Sequence, residues 1–457
     1  MEIRDNGAGQ VWNSIFTEFA KSILDIDNSA GETDDDGNLK DKGTLNDATG
    51  SKGSQAMLEL GNLAFKGNIF WNGGKGNTAL GAAENDKIVS DIVFATDNNN
   101  SYDVDPLLVD DLVADGVVAP FPATGSPTLS GAETLGSTSF LTQTSFRGAF
   151  SSTLNWLDGW TVVDSSGLTA DLVVSSATGT QTITSNITTD TTWSAGTDYI
   201  LADYIFVTNG ATLTIEPGVT VKANQGTGNA APALIVTQGA KINAAGTSSA
   251  PIVFTSVTDT GSLTKDDKGL WGGLIILGKA PINSNGKATD NDPLTNQIEG
   301  VPTTSGISGE VFDASYSSYG GNDASDNSGV LKYVSIRHGG AIIGEGNEIN
   351  GLTLGGVGNG TVIENIEVFA NSDDGIEFFG GSVNARYLSV AFCGDDSFDF
   401  DEGYNGHLQF LLSLQDENSN RAIEWDGSTE SNERAASTTS LPAWSAPCLL
   451  YTSPSPR

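Results

Sequence analysis

NSDDGIEFFGG (371–381) is followed within one short interval by CGDDSFDFDEG (393–403). Each stretch reads Asp-Asp, then a strand-like run with an acid inside it. Working outward, four hexads align: GLTLGG (351–356), GIEFFG (375–380), SFDFDE (397–402) and AIEWDG (422–427), their starts 24, 22 and 25 residues apart. A second set alternates with them: KYVSIR (332–337), ENIEVF (364–369), RYLSVA (386–391) and FLLSLQ (410–415). Two alternating strands per repeat, each closed by Gly, Asn or Asp turns, is the pattern of a solenoid coil. The wider gap between the first two members of the second set is a coil with an inserted loop, IIGEGNEI (342–349).

Side-chain alternation decides which way each slot faces. Leu352, Ile376, Phe398 and Ile423 share one slot, and Leu354, Phe378, Phe400 and Trp425 share another. Both slots are purely apolar and point inward. Thr353, Glu377, Asp399 and Glu424 must then point outward, as must Gly355, Phe379, Asp401 and Asp426. Coils stacked at the ~4.8 Å strand spacing place like side chains in columns. The expected fold is all-β, a parallel β-helix.

Composition agrees. Glycine supplies 56 of the 457 residues, spread as turn pairs between runs of Val, Ile, Thr and Phe. The formal charge of −36 disfavours nucleic acid and anionic membrane surfaces as partners and favours divalent cations or high salt. Two cysteines, Cys393 and Cys448, are too few for a disulfide framework. No apolar run is long enough to predict a membrane span.

Looser repeats precede the regular block. VTNGATLTI (207–215) and VTQGAKINA (236–244) share a V-T-x-G-A start and are followed by IILGKAPIN (275–283). NSIF (13–16), GNIF (67–70) and SDIV (90–93) are read as strands of a further segment. DPLLVDDLVADG (105–116) predicts a short helix capped by Asp105, with Pro106 in its first turn and Gly116 at its end.

EPGVTVKA (216–223), GLWGGLIILGKAPIN (269–283), LKYVSIRHGG (331–340), GLTLGGVGNGT (351–361) and the double-Asp repeats carry a resemblance. On them, residues from about 180 to 441 resemble the right-handed parallel β-helix, or pectin-lyase-like, class, and more narrowly large secreted proteins of marine bacteria. Residues 1–163 resemble the C-terminal part of a preceding unit of the same kind, with long loops. A Ser/Thr-rich connection (164–180) then leads into the main β-helix (181–441). The tail, 442–457, resembles a translated adapter read-through. The resemblance implies a window from a longer tandem protein, secreted or at the cell surface, with further repeat units of that protein as neighbours.

The carboxylates leave three readings open. The first is catalysis. NSDDG (371–375) and CGDD (393–396) are similar to the first two acid motifs of polygalacturonases, which would make Asp373 or Asp374 one acid and Asp395 with Asp396 the other pair. Neighbouring coils can supply the ~6.5–9.5 Å an inverting hydrolase needs. NSDDG nevertheless carries one residue too many, and the family's later His and basic motifs have no counterpart. The second reading is a cation site. Stacked Glu377, Asp399 and Glu424 repel by roughly 3 kcal/mol per pair at an effective dielectric of ~20. Calcium takes six to eight oxygens, and the Asp-Asp turns add more. Asp374, Glu377, Asp395, Asp396, Asp399, Asp401, Glu424 and Asp426 are the expected ligands. The third reading is a solvated acidic face.

Weaker signals complete the inventory. ETDDDGN (32–38) has calcium-loop spacing but Gly43 at the twelfth position. Arg337 and His338, at a strand end, are expected to cap a turn. Phe379, Trp12, Trp71, Trp156 and Trp160 offer either sugar-stacking surfaces or packing at loop bases. The preferred function is an extracellular structural or adhesive repeat module stabilised by Ca2+. The alternative is a polysaccharide-active or glycan-binding β-helix, with a polysaccharide or cell-surface component as partner.

Overall fold

Apolar residues at a two-residue period build strands, and recurrence of the same slots stacks those strands into continuous sheets. The computed structural model describes residues 1–4, 7–19, 21, 23–26, 53–83, 86–109, 119–135, 139–163, 177–283, 295–344, 348–427 and 448–452. Among them, a nine-stranded front sheet runs Ile205–Val207, Leu234–Val236, Leu274–Leu277, Leu352–Gly355, Ile376–Phe379, Phe398–Asp401, Ile423–Asp426, Glu2–Arg4 and Asp25–Ile26. Every pairing in it is parallel. A 14-stranded sheet forms the remaining walls. The protein is an all-β parallel solenoid.

The expected slots pair in register: Leu352 with Ile376, Phe398 and Ile423, and Leu354 with Phe378, Phe400 and Trp425. All eight are buried. Aromatic rings continue the column, with Phe378 and Phe400 centroids 5.2 Å apart and Tyr404 lying 4.6 Å from Phe378.

The second set of hexads forms longer strands: Gly329–Arg337, Val362–Phe369, Asn384–Ala391 and Leu408–Gln415. Each bends once, at Tyr333, Asn365, Tyr387 and Phe410, which all hold φ between 48° and 61°. Left-handed backbone costs a non-glycine residue roughly 1–2 kcal/mol. Here it repeats coil on coil, so the strand pairings on either side impose it. A second corner stack, His338, Ala370 and Phe392, donates each backbone N–H to the next coil at 2.8–2.9 Å.

Close coil-to-coil approach explains the motif glycines. A Cβ on Gly375 would stand 2.2 Å from Val390 Cγ1 and 2.7 Å from the Ser397 carbonyl oxygen. One on Gly394 would stand 2.0 Å from the Ser372 carbonyl oxygen. We expect Gly375→Ala and Gly394→Ala each to destabilise the protein by about 1–3 kcal/mol in urea unfolding. A midpoint unchanged by either would show that the coils can part there at no cost.

The N-terminal segment docks on the solenoid. Glu2, Ile3 and Arg4 sit opposite Glu424, Trp425 and Asp426, and Asp25–Ile26 adds the next rung. A strap formed by residues 146–163 crosses the aromatic corners. Phe146 meets Phe410 at 6.4 Å, Trp156 meets Tyr387 at 5.8 Å, and Trp160 meets Tyr333 at 5.4 Å. Trp156 and Trp160 are buried core residues, which removes them as sugar platforms. Phe379, in its outward slot, is also buried, under Tyr319.

Two local expectations change. NSIF and GNIF do pair, Ile15 with Ile69 and Phe16 with Phe70, but SDIV lies in the helix Lys87–Val93. Asp86 caps that helix through the Ile88 and Val89 N–H groups, which favours the helical period over the strand. The helix expected from Asp105 does not start there. Asp105 accepts from Leu107 N–H, but Leu107 turns left-handed at φ 47° and Leu108 bridges Pro122. Its later residues, 110–116, lie outside the described residues, as does the loop at 32–38. In the tail, the apolar run Cys448–Thr452 is a strand between Leu408–Gln415 and Ile15–Thr17.

Candidate metal centre

The two Asp-Asp turns enter adjacent front strands, so their carboxylates converge with the outward acids of those strands. Glu377 lies directly opposite Asp399. Asp373, Asp374 and Asp395 form one group, and Asp374, Glu377 and Asp399 form a second. Within each group the carboxylate oxygens lie within 4.8 Å of one another.

The face is not solvated. Asp374 is 8% exposed, Glu377 6% and Asp396 1%, while Asp373, Asp395 and Asp399 are half-buried. The covering comes from two inserted loops, which bring Glu299 and Glu348 over the stripe. The solvated-face expectation fails for that reason: the coils present the acids outward, and the insertions then roof them.

Burial dominates the electrostatics. It pushes Asp373, Asp374, Glu377, Asp396, Asp399 and Asp426 well above the ordinary carboxylate range, and neighbouring carboxylates push them further. For Glu299, burial and Glu348 push the value up to about 7. Among the described residues, no ion pair joins Asp373, Asp374, Glu377, Asp395 or Asp399 to a basic side chain. The stripe's other end is different. Arg4 meets Glu424 at 3.1 Å and Asp426 at 2.6 Å, and Arg421 pairs with Glu2 and, at 3.7 Å, with Glu424.

The expected ligands therefore divide. Asp374, Glu377, Asp395 and Asp399 are brought together. Glu424 and Asp426 are occupied by guanidinium groups, and Asp401 accepts from the Glu402 N–H at 2.6 Å. Asp396 accepts from the Arg421 N–H at 2.6 Å, and Asp374 Oδ1 accepts from the Asp396 N–H at 2.8 Å. Those two bonds form a side-chain ladder between coils. Of the four acids offered for catalysis, Asp374 and Asp396 are engaged in that ladder, and Asp373 and Asp395 are left facing the loops.

The ladder also identifies residues missed in the sequence. Asn350, Asp374, Asp396 and Arg421 occupy one slot, each two residues before an inward hexad residue. Extending the Asp column one coil each way would have found Asn350 and Arg421. Asn350 donates its amide N–H to Glu377, and Glu299 lies beside both of them. Glu299 and Arg4 carried no such signal, because one comes from an irregular insertion and the other from the opposite end of the chain.

Arg337 does more than cap a turn. It is fully buried, donates through Nε to Ser335 Oγ at 2.8 Å, and faces Glu367. His338 takes the left-handed corner with Nδ1 2.7 Å from the Asp267 carbonyl oxygen.

A hard, oxygen-seeking cation suits this donor set of carboxylates and a buried amide. No helix among the described residues is long and apolar enough to cross a membrane. Searches of curated proteins and of solved structures return no match. Residues 185–449 match the family model for the pectate-lyase like beta helix domain, which spans more than half of the chain. With that match and its parallel coils in register, the chain belongs to the pectate-lyase-like beta helix family.

Proposed function

We propose that this protein is an extracellular structural or adhesive β-helix module whose acidic stripe is held together by Ca2+. One observation carries the reading: the convergent, buried or half-buried carboxylates of Asp373, Asp374, Glu377, Asp395 and Asp399 have no basic partner among the described residues. Isolated buried charge is costly, and such groups either take up protons or coordinate metals. Calcium supplies two positive charges and accepts irregular oxygen shells. The acids would hold the ion between adjacent coils, so binding would stiffen the axis instead of turning over a substrate. Engagement of Asp374 and Asp396 in the inter-coil ladder supports this over hydrolysis.

Calorimetric titration of the full chain with calcium at pH 7.5 tests the reading. Saturable binding, strongly weakened in Asp374→Asn and in Asp399→Asn, is expected. Absence of binding would refute it. So would turnover of a uronate polysaccharide that disappears in Asp395→Asn, which would restore the polysaccharide-active alternative.

A further inference from the structure

Resting on the calcium reading of the same stripe, we infer that it holds two cations in series, bridged by Asp374. The two acidic groups share that one residue, and each spans no more than 4.8 Å between ligand atoms. Two oxygens on opposite sides of one calcium lie about 5 Å apart, so each group matches the width of a single ion. A carboxylate has two oxygens and about four lone-pair sites, enough to serve two ions while Oδ1 also accepts from Asp396 N–H.

An independent feature points to a ligand at the inner group. Asn350 is 1% exposed, and its amide nitrogen donates to Glu377, yet its Oδ1 has no hydrogen-bond partner. An amide oxygen is an ordinary calcium ligand, and a buried acceptor left unmatched beside a carboxylate is costly. The neighbouring coils show how the stripe is neutralised elsewhere. There the guanidinium groups of Arg4 and Arg421 pair with Glu2, Glu424 and Asp426. The five carboxylates have no such partner among the described residues, and Glu299 and Glu348 add to their charge, so one divalent ion offsets less than half of it.

The two positions differ in access. The inner group, Asp374, Glu377 and Asp399, has two buried members, and Asn350 donates to one of them, Glu377. The outer group includes Asp373 and Asp395, both half-buried at the turns. The inner ion should exchange slowly and the outer one quickly.

Calorimetry of the full chain with calcium alone should give two equivalents. Asp395→Asn should weaken only the outer ion, Asp399→Asn only the inner, each by at least about 100-fold, and Asp374→Asn both. Asp395 is half-buried, so its variant should keep the parent's circular dichroism. The asparagine at 374 retains an oxygen for the Asp396 N–H. Terbium lifetimes in H2O and D2O should show more bound water on the ion that Asp395→Asn removes. One equivalent, lost equally in Asp395→Asn and Asp399→Asn, would overturn the two-ion arrangement while leaving calcium binding intact. No binding in the parent would overturn both.

Discussion

In a chelator, the melting temperature of this protein should rise as pH is lowered from 8 towards 5, and saturating calcium should flatten that dependence. Asp374, Glu377 and Asp399 have folded-state values above their unfolded ones, and Glu299 is pushed up to about 7. A group raised in the folded state contributes stability that is fully present below its unfolded value, about 4 for Asp and Glu. That contribution is lost as pH climbs through the folded value. The window therefore opens near pH 4 and extends to about pH 7 for Glu299, and the other raised acids act in the same direction. Each extra proton held by the folded state changes stability by about 1.4 kcal/mol per pH unit. Calcium at 100 times its Kd would instead add about 2.7 kcal/mol per site where the acids are ionised. Differential scanning calorimetry in EDTA and in calcium, from pH 5 to 8, checks both halves. Glu377→Gln combined with Asp399→Asn should reduce the slope in EDTA. A slope unaffected by that pair would place the proton uptake elsewhere on this acidic chain.

Glu367→Gln should cost about 3–5 kcal/mol and release the strap that joins the N-terminal segment to the solenoid. Glu367 is buried at the centre of a four-way arrangement. Its Oε1 accepts from the Val162 and Val163 N–H groups at 2.6 and 3.3 Å, and its Oε2 accepts from Ser335 Oγ at 2.5 Å. Arg337, also buried, faces the same carboxylate. Glutamine would keep the volume but turn one acceptor into a donor and remove the buried negative charge that faces the guanidinium. Breaking one side of a buried pair costs that much because the surviving charge stays buried. The expected signature is a lower urea midpoint together with faster proteolysis between 140 and 163. If the midpoint falls while the strap stays protected, Glu367 serves the second sheet and the aromatic contacts alone hold the strap. Replacing Arg337 and Glu367 together by Met and Leu should recover much of the loss, since an apolar pair of similar volume leaves no charge to balance.

Much of the candidate site was readable as a pattern of columns. Asp374, Glu377, Asp395 and Asp399 recur at fixed offsets from inward hydrophobics, so stacking the repeats brings them together. Their burial was not readable. It depends on Glu299 and Glu348, which arrive on insertions with no period. Nor was the division of the stripe readable. Glu424 and Asp426 look like further ligands until Arg4, more than 400 residues earlier, pairs with them.

The amino-acid sequence by itself determined the coil, its facing and its register. A strand's two-residue period and a repeat of about 22–25 residues leave only one way to bury Leu352, Ile376, Phe398 and Ile423 in a single column. The tertiary structure alone decided what closes that coil at its end and roof. The pairing of Glu2–Arg4 with Ile423–Asp426, the strap across Tyr333, Tyr387 and Phe410, and the cover over the carboxylates are contacts between segments far apart in the chain. Local periodicity says which face of a strand is apolar. It does not say which distant segment will cover the outer face, because that depends on where the chain returns after its loops.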